Sequence, residues 1–249
     1  KTVLSYNKKV IKELLDFGKY SMGTNLSATL FQTVENFVIN FMLGPAALAI
    51  CDVGAKMLEF VEIPLRSFSV SGMPILAAAH NKGDKDKVIK TAKQLIGIFT
   101  VLMIPCVIIA IIFAEPIIGL IGGGKYINTE AVNLFRLFIT ISLLYPADRF
   151  LSLTLDAVNM PKVNFIKALI MLAVLTVSCF LGVYLTGNIY GIAYASVFPL
   201  ITSIYISYLY INSYQIFSFS GTYKFGYHDL KYRFNELLRL KNNASENDI

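Results

Sequence analysis

Charge is scarce in this chain. Only 15% of its 249 residues are charged, where a soluble domain carries about 25%. That deficit excludes a solvated, disordered chain and a nucleic-acid-coating protein, although the net charge is +6. There is no Trp, and the two histidines, His80 and His228, lack partners at metal-ligand spacing, so no metal centre is expected. Cys51, Cys106 and Cys179 sit in apolar runs without a CxxC or Cys/His pattern and read as small buried hydrophobes. Gly119 to Lys125 (GLIGGGK) comes near a phosphate-cradling loop, but Tyr126 stands where Ser or Thr is required. No nucleophile triad or paired catalytic carboxylate is visible in a loop, so the chain is not read as an enzyme.

Hydrophobic residues are abundant, at 55% of the chain, with a mean hydropathy of +0.61. Surface on that scale needs a bilayer. Gln94 to Ala114 is 21 residues without a charge, and Ala168 to Tyr223 is 56, interrupted by Thr186-Gly187-Asn188. A spanning helix takes about 20 mostly apolar residues, so the first stretch is one span and the second is two. Adding three less pure candidates predicts six spans, at about 20–43, 46–78, 94–114, 131–157, 163–186 and 189–212. The fold class is therefore all-α, a polytopic six-helix membrane bundle, with a basic lead-in over 1–19 and a tail over 213–249. Within that tail, Asp229 to Leu240 reads as an amphipathic surface helix.

The basic residues test this topology. Residues 1–19, 79–93, the turn holding Lys162 and Lys167, and the tail together carry 17 of the 22 Lys and Arg, while the opposite connections carry only Lys125. Positive charge stays on the cytoplasmic side, so both termini are expected there, in a multi-pass cytoplasmic-membrane protein. The N-terminus is too basic and polar for a signal peptide, and the chain starts with Lys; it is read as a piece of a longer protein. Tyr184, Tyr190 and Tyr194, with Tyr205, Tyr208, Tyr210 and Tyr214, flank the two ends of the last hairpin as interfacial anchors.

Charges inside spans are the candidates for function, because each costs about 2.5–3.5 kcal/mol at mid-helix unless it faces water or a partner. The second span holds Asp52, Lys56, Glu59, Glu62 and Arg66. On a continuous helix at 100° per residue all five fall in one sector of about 120°. Asp52–Lys56 and Glu62–Arg66 stand at i,i+4 and Lys56–Glu59 at i,i+3, which predicts local pairing along a wet stripe. The fourth span adds Arg136, Asp148, Arg149 and Asp156, with Pro146 positioned to kink it. Glu35 is the lone acid of the first span, a residue type suited to exchanging a proton or a cation. Pro64, Pro74, Pro105, Pro146 and Pro199 mark places where spans can bend. A dry, fully paired stripe would instead mark a non-transporting scaffold.

The segment that opens on LLDFG (Leu14 to Gly18), runs through FMLGP (Phe41 to Pro45) and reaches Gly72-Met73-Pro74 before a basic loop resembles the start of the second lobe of oligosaccharide flippases. These belong to the multidrug/oligosaccharidyl-lipid/polysaccharide exporter superfamily. The later EPIIGLIGGGKYINTEAVNLFRLF is similar to the approach to that lobe's fourth span, and the resemblance covers about residues 12–212. It implies one lobe of a two-lobe, alternating-access transporter, with a six-helix N-terminal lobe as partner and a polyprenyl-diphosphate-linked oligosaccharide as cargo, amid membrane lipids. It further implies that Lys56, Arg66 and Arg149 hold the diphosphate and allows coupling to Na+ or H+, for which the acids Glu35, Asp52, Glu59 and Glu62 are the candidates that a cation-coupled exporter would lean on. Where such flippases often carry an Asp–Arg-like pair, this chain has Glu35-Asn36. A cation-coupled multidrug exporter of the same superfamily is the competing reading.

Overall fold

The computed structural model describes residues 8–56, 58–223 and 226. Among them the chain is helical throughout, in antiparallel passes joined by short turns. Helix α1 (Lys8–Leu43) is followed by α2 (Pro45–Ala55) and α3 (Leu58–Asn81), which run end to end, and then by α4 (Lys85–Ile112). After α5 (Ala114–Gly122) and a 3-10 turn, α6 (Ala131–Ile141) and α7 (Tyr145–Ala157) make one composite pass. The last hairpin is α8 (Pro161–Thr186), a short α9 (Tyr190–Ala195) and α10 (Val197–Tyr214).

Four stretches among the described residues are long and apolar enough to cross a membrane: Lys85–Ile112, Ala131–Ala157, Pro161–Thr186 and Tyr190–Tyr214. Pro45–Ala55 is apolar but shorter. The protein is a multi-pass membrane protein. Helix α1 begins at Lys8, inside the stretch read as a separate basic lead-in, so its 36 residues reach about 54 Å, well beyond a 30 Å hydrocarbon core. The expected helix at Asp229 to Leu240 lies outside the described residues.

Local sequence explains where the passes turn. At the end of α3, Gly83 adopts φ +74°, and Asp84 then caps α4 by accepting from the Lys87 amide at 2.9 Å. At the end of α7, Asn159 takes the left-handed conformation, the Met160 amide returns to the Leu155 carbonyl at 2.8 Å, and Pro161 opens α8. The composite fourth pass breaks at Ser142–Leu144, and Pro146 sits in the first turn of α7, where no amide hydrogen bond is lost.

Packing follows the hairpins and then crosses between them. Helix α1 lies along α8, α2 along α6, α3 along α4 and α7, and α10 along α8 and α7. One core gathers Val38, Leu134, Leu175 and Ile192; another gathers Ile96, Phe99, Phe150, Leu155 and Ile211. Phe99 and Phe150 meet at 5.1 Å. Phe37, Phe41, Phe60, Val70, Ile112 and Leu185 are exposed, as lipid- or partner-facing side chains should be.

The residues after Tyr214 fold back as a strap. Phe217 is buried among Tyr208 and Phe219, and Thr222 is fully buried. Gly97 of α4 permits this, since a Cβ there would meet the Thr222 carbonyl oxygen at 2.3 Å and the Gly226 Cα at 2.9 Å. Gly97→Leu is expected to lift the strap at a cost of about 1–3 kcal/mol, which raises its open population roughly fivefold or more. Limited proteolysis between residues 215 and 223 checks this: unchanged cleavage rates would show that the strap does not depend on Gly97.

Candidate functional site

The polar stripe does not ride on one continuous helix. The chain tightens at Lys56, whose amide reaches the Asp52 carbonyl at 3.0 Å, while the Glu59 amide reaches the Lys56 carbonyl across three residues at 3.3 Å. A three-residue hydrogen bond winds the backbone more tightly than an α-turn and rotates the next helix about its axis. Asp52 therefore belongs to α2, Lys56 to the junction, and Glu59, Glu62 and Arg66 to α3.

The consequence is uneven pairing. Arg66 Nη2 donates to Glu62 Oε2 at 2.5 Å, the arginine more exposed than its partner. Among the described residues no ion pair within 4.0 Å joins Asp52 to Lys56 or Lys56 to Glu59, where the continuous-helix reading places two. Asp52, Lys56, Glu59 and Arg66 are exposed, and Glu62 is half-buried. An unpaired, exposed run of charge cannot face lipid, so this side of α2 and α3 faces water or another protein surface.

The acids interact across four helices. Glu35 of α1 lies within electrostatic reach of Asp52 and of the buried thiols Cys51 and Cys179. Glu35, Glu62 of α3 and Asp148 of α7 all act on the Tyr145 side chain at the start of α7. Beside them, Arg149 Nε donates to Ser69 Oγ at 3.2 Å, which ties α7 to α3. The structure thus brings Glu62, Arg66 and Arg149 to the α3–α7 side and Glu35 to Asp52 on the α1–α2 side, and leaves Lys56 and Glu59 exposed at the junction. Arg136 sits apart, on Glu115 at 3.6 Å.

One cation lies elsewhere than its spacing implies. By sequence Lys167 groups with the cytoplasmic turn, yet it lies in the second turn of α8 and is only 4% exposed. Its ammonium donates to Ser152 Oγ of α7 at 2.5 Å and to Ser207 Oγ of α10 at 3.0 Å. Asp148 and Asp156 are its charged neighbours. Asn164, one turn earlier, donates to the Ser152 carbonyl at 2.8 Å and to Asp156 Oδ1 at 2.7 Å, while Ser203 of α10 donates to Asp148. Spacing from Pro161 cannot distinguish a buried Lys from a snorkelling one. The only signal in the sequence is its i,i+3 partnership with Asn164 on a face that α7 and α10 cover.

An apolar groove of about 650 Å³ runs between α8 and the α9–α10 junction, beside Val177, Leu181, Tyr194 and Phe198. It carries no charge, so the polar α3–α7 face is the candidate site.

Residues 1–131 match the family model described as polysaccharide biosynthesis protein. The chain belongs to that family. No curated protein matches it in sequence. Its fold is similar to a solved structure described as MATE in the straight conformation, at a TM-score of 0.78 and 15% identity, over 88% of this chain and 49% of that one. It is also similar to the outward-facing and inward-facing conformations of a multidrug resistance MATE family transporter of the MOP superfamily. Those TM-scores are 0.75 and 0.72, at 16% and 15% identity, over 90% and 88% of this chain and 49% and 50% of those. The chain thus spans about half the length of the structures it matches and has the all-α architecture of one of their lobes.

Proposed function

We propose that this polysaccharide biosynthesis family member is one lobe of a transporter that flips a polyprenyl-diphosphate-linked oligosaccharide across a bacterial cytoplasmic membrane by alternating access. The observation that carries the reading is the charged, largely exposed α2–α3–α7 face, on which only Glu62 and Arg66 pair with each other, together with the family match over residues 1–131. A diphosphate brings about two negative charges that must be compensated in a low-dielectric setting. Lys56, Arg66 and Arg149 offset them, Arg66 after exchanging its Glu62 partner for the phosphate oxygens. The lipid tail stays in the bilayer throughout.

In this proposal the lobe makes six membrane passes, with both termini cytoplasmic, and a second six-helix lobe closes the cavity against the charged face. Rocking of two stiff lobes changes access. The near-equal fit of this lobe to halves of outward-facing and inward-facing structures supports a body that moves without refolding.

Lys56→Glu and Arg66→Glu, each expressed in the full-length protein, are expected to lower polysaccharide export at least tenfold, an effect of about 1.4 kcal/mol or more on cargo binding. Exposed charges cost little in stability, so Tm should move by less than a few degrees. Full export by either variant would remove that residue from the site.

A second reading is favoured by the acids: Glu35, Glu62 and Asp148 around Tyr145, with Asp52 beside Glu35, suit a cation-coupled multidrug exporter. Drug efflux that depends on Glu35, with no polysaccharide defect, would select it.

A further inference from the structure

Lys167 is surrounded as a bound cation would be. All its direct partners are oxygens, the hydroxyls of Ser152 and Ser207, and its facing charges are the carboxylates of Asp148 and Asp156. Asn164 Oδ1, in the same cluster, is buried with no hydrogen-bond donor, and its residue is 4% exposed. A buried acceptor without a donor is unfavourable unless a cation or water serves it. Arg149 partly offsets Asp156 from the α3 side. Among the described residues no three His, Cys, Asp or Glu side chains converge to hold a metal ion. With two carboxylates, the site suits a single positive charge. Hard oxygens are the ligands of alkali cations, and an ammonium presents the same charge at a similar radius.

We propose that the lobe contains a monovalent-cation site at the junction of α7, α8 and α10, and that Lys167 occupies it with its own ammonium group. In this cage the hydroxyl oxygens of Ser152 and Ser207 hold it, the carboxylates of Asp148 and Asp156 are its charged neighbours, and Asn164 Oδ1 is the free acceptor of the same cluster. The tethered cation makes this junction independent of salt composition, where an open cage would need Na+ or K+ from solution. The inference does not rest on the transport reading, since its readout is stability.

The test uses the purified full chain in detergent, with thermal unfolding followed by the reactivity of the buried thiols Cys51 and Cys179. Each protein is melted in NaCl, KCl or choline chloride at equal ionic strength. Lys167→Ala empties the cage. It is expected to be less stable than the parent in choline, and to regain about 3–6 °C in 300 mM Na+ or K+. The parent is expected to show the same Tm in all three salts. A folded Lys167→Ala protein indifferent to the cation, or a parent that shifts as much as the variant, would overturn the proposal. If Lys167→Ala folds only in Na+ or K+, the cage is supported; if it folds in no salt, the single variant counts against it. The charge-balanced Lys167→Met/Asp156→Asn protein should fold without salt selectivity, and selectivity there would also refute the cage.

Discussion

Gly191→Leu is expected to yield no stably folded lobe. Gly182 and Gly191 bring α8 and α9 into backbone contact near the Gly187 turn. A Cβ on Gly191 would sit 2.3 Å from the Gly182 carbonyl oxygen and 2.5 Å from its carbon. A side chain can move aside; a helix backbone cannot. Relief requires α9 to retreat along its length, which opens the core around Cys179, Ile192 and Ala195. Overpacking of this kind costs at least about 3 kcal/mol, the top of the usual range, a large share of a domain's stability. Small residues at helix contacts are also the main route to close packing in lipid, so no apolar gain compensates. Thiol reactivity of Cys179 and gel-filtration profile are the readouts. The control is Gly187→Asn: Gly187 is left-handed at φ +64° with open space around its Cα, and Asn tolerates that region. A folded, monodisperse Gly191→Leu protein would show that the hairpin contact is not required.

Phe150→Ala is expected to destabilise the lobe by about 2–3 kcal/mol. Phe150 is fully buried on α7, against Phe99 and beside Leu151 and Leu155. In a water-soluble core the loss would include transfer of the ring from water. In a bilayer the ring is apolar-solvated both when packed and when the helices separate, so only the packing part is lost. A cavity of roughly 100 Å³ at about 24 cal/mol per Å³ gives the stated figure. Phe150→Leu, which refills most of the space, should recover half or more of it. The measurement is the Tm of the purified chain, expected to fall by about 4–10 °C for Ala. A drop above about 15 °C would mean that burial from water, and hence a water-filled surround, dominates at this position.

Much of the architecture was legible because membrane insertion depends on one-dimensional properties. Length, apolarity and charge bias are summed along the chain, so Lys85–Ile112 and Pro161–Thr186 lie close to the stretches read as 94–114 and 163–186. The turn residues Gly83, Asn159 and Gly187 carry their conformations locally. The composite pass that starts at Tyr190 lies within a charge-free stretch, while the one around Pro146 reads as a single span in spite of its charges.

The site was only partly legible. A stripe placed at 100° per residue assumes an unbroken helix, and the tightened turn at Lys56 ends that assumption between α2 and α3. Of the three expected pairs, Glu62–Arg66 forms because both residues lie on α3, beyond the break. Nothing in the sequence told that the partner of Arg149 would be Ser69 on α3. Lys167 is the clearest case. Six residues past Pro161 it counts as a loop marker by its charge and its position, and only the packing of α7 and α10 over α8 buries it. The sequence by itself determined that this chain lives in a bilayer and roughly where it crosses, because each span meets the lipid alone. Tertiary structure decided which charges face outward, which meet a partner and which are enclosed, because burial is a property of helices brought together.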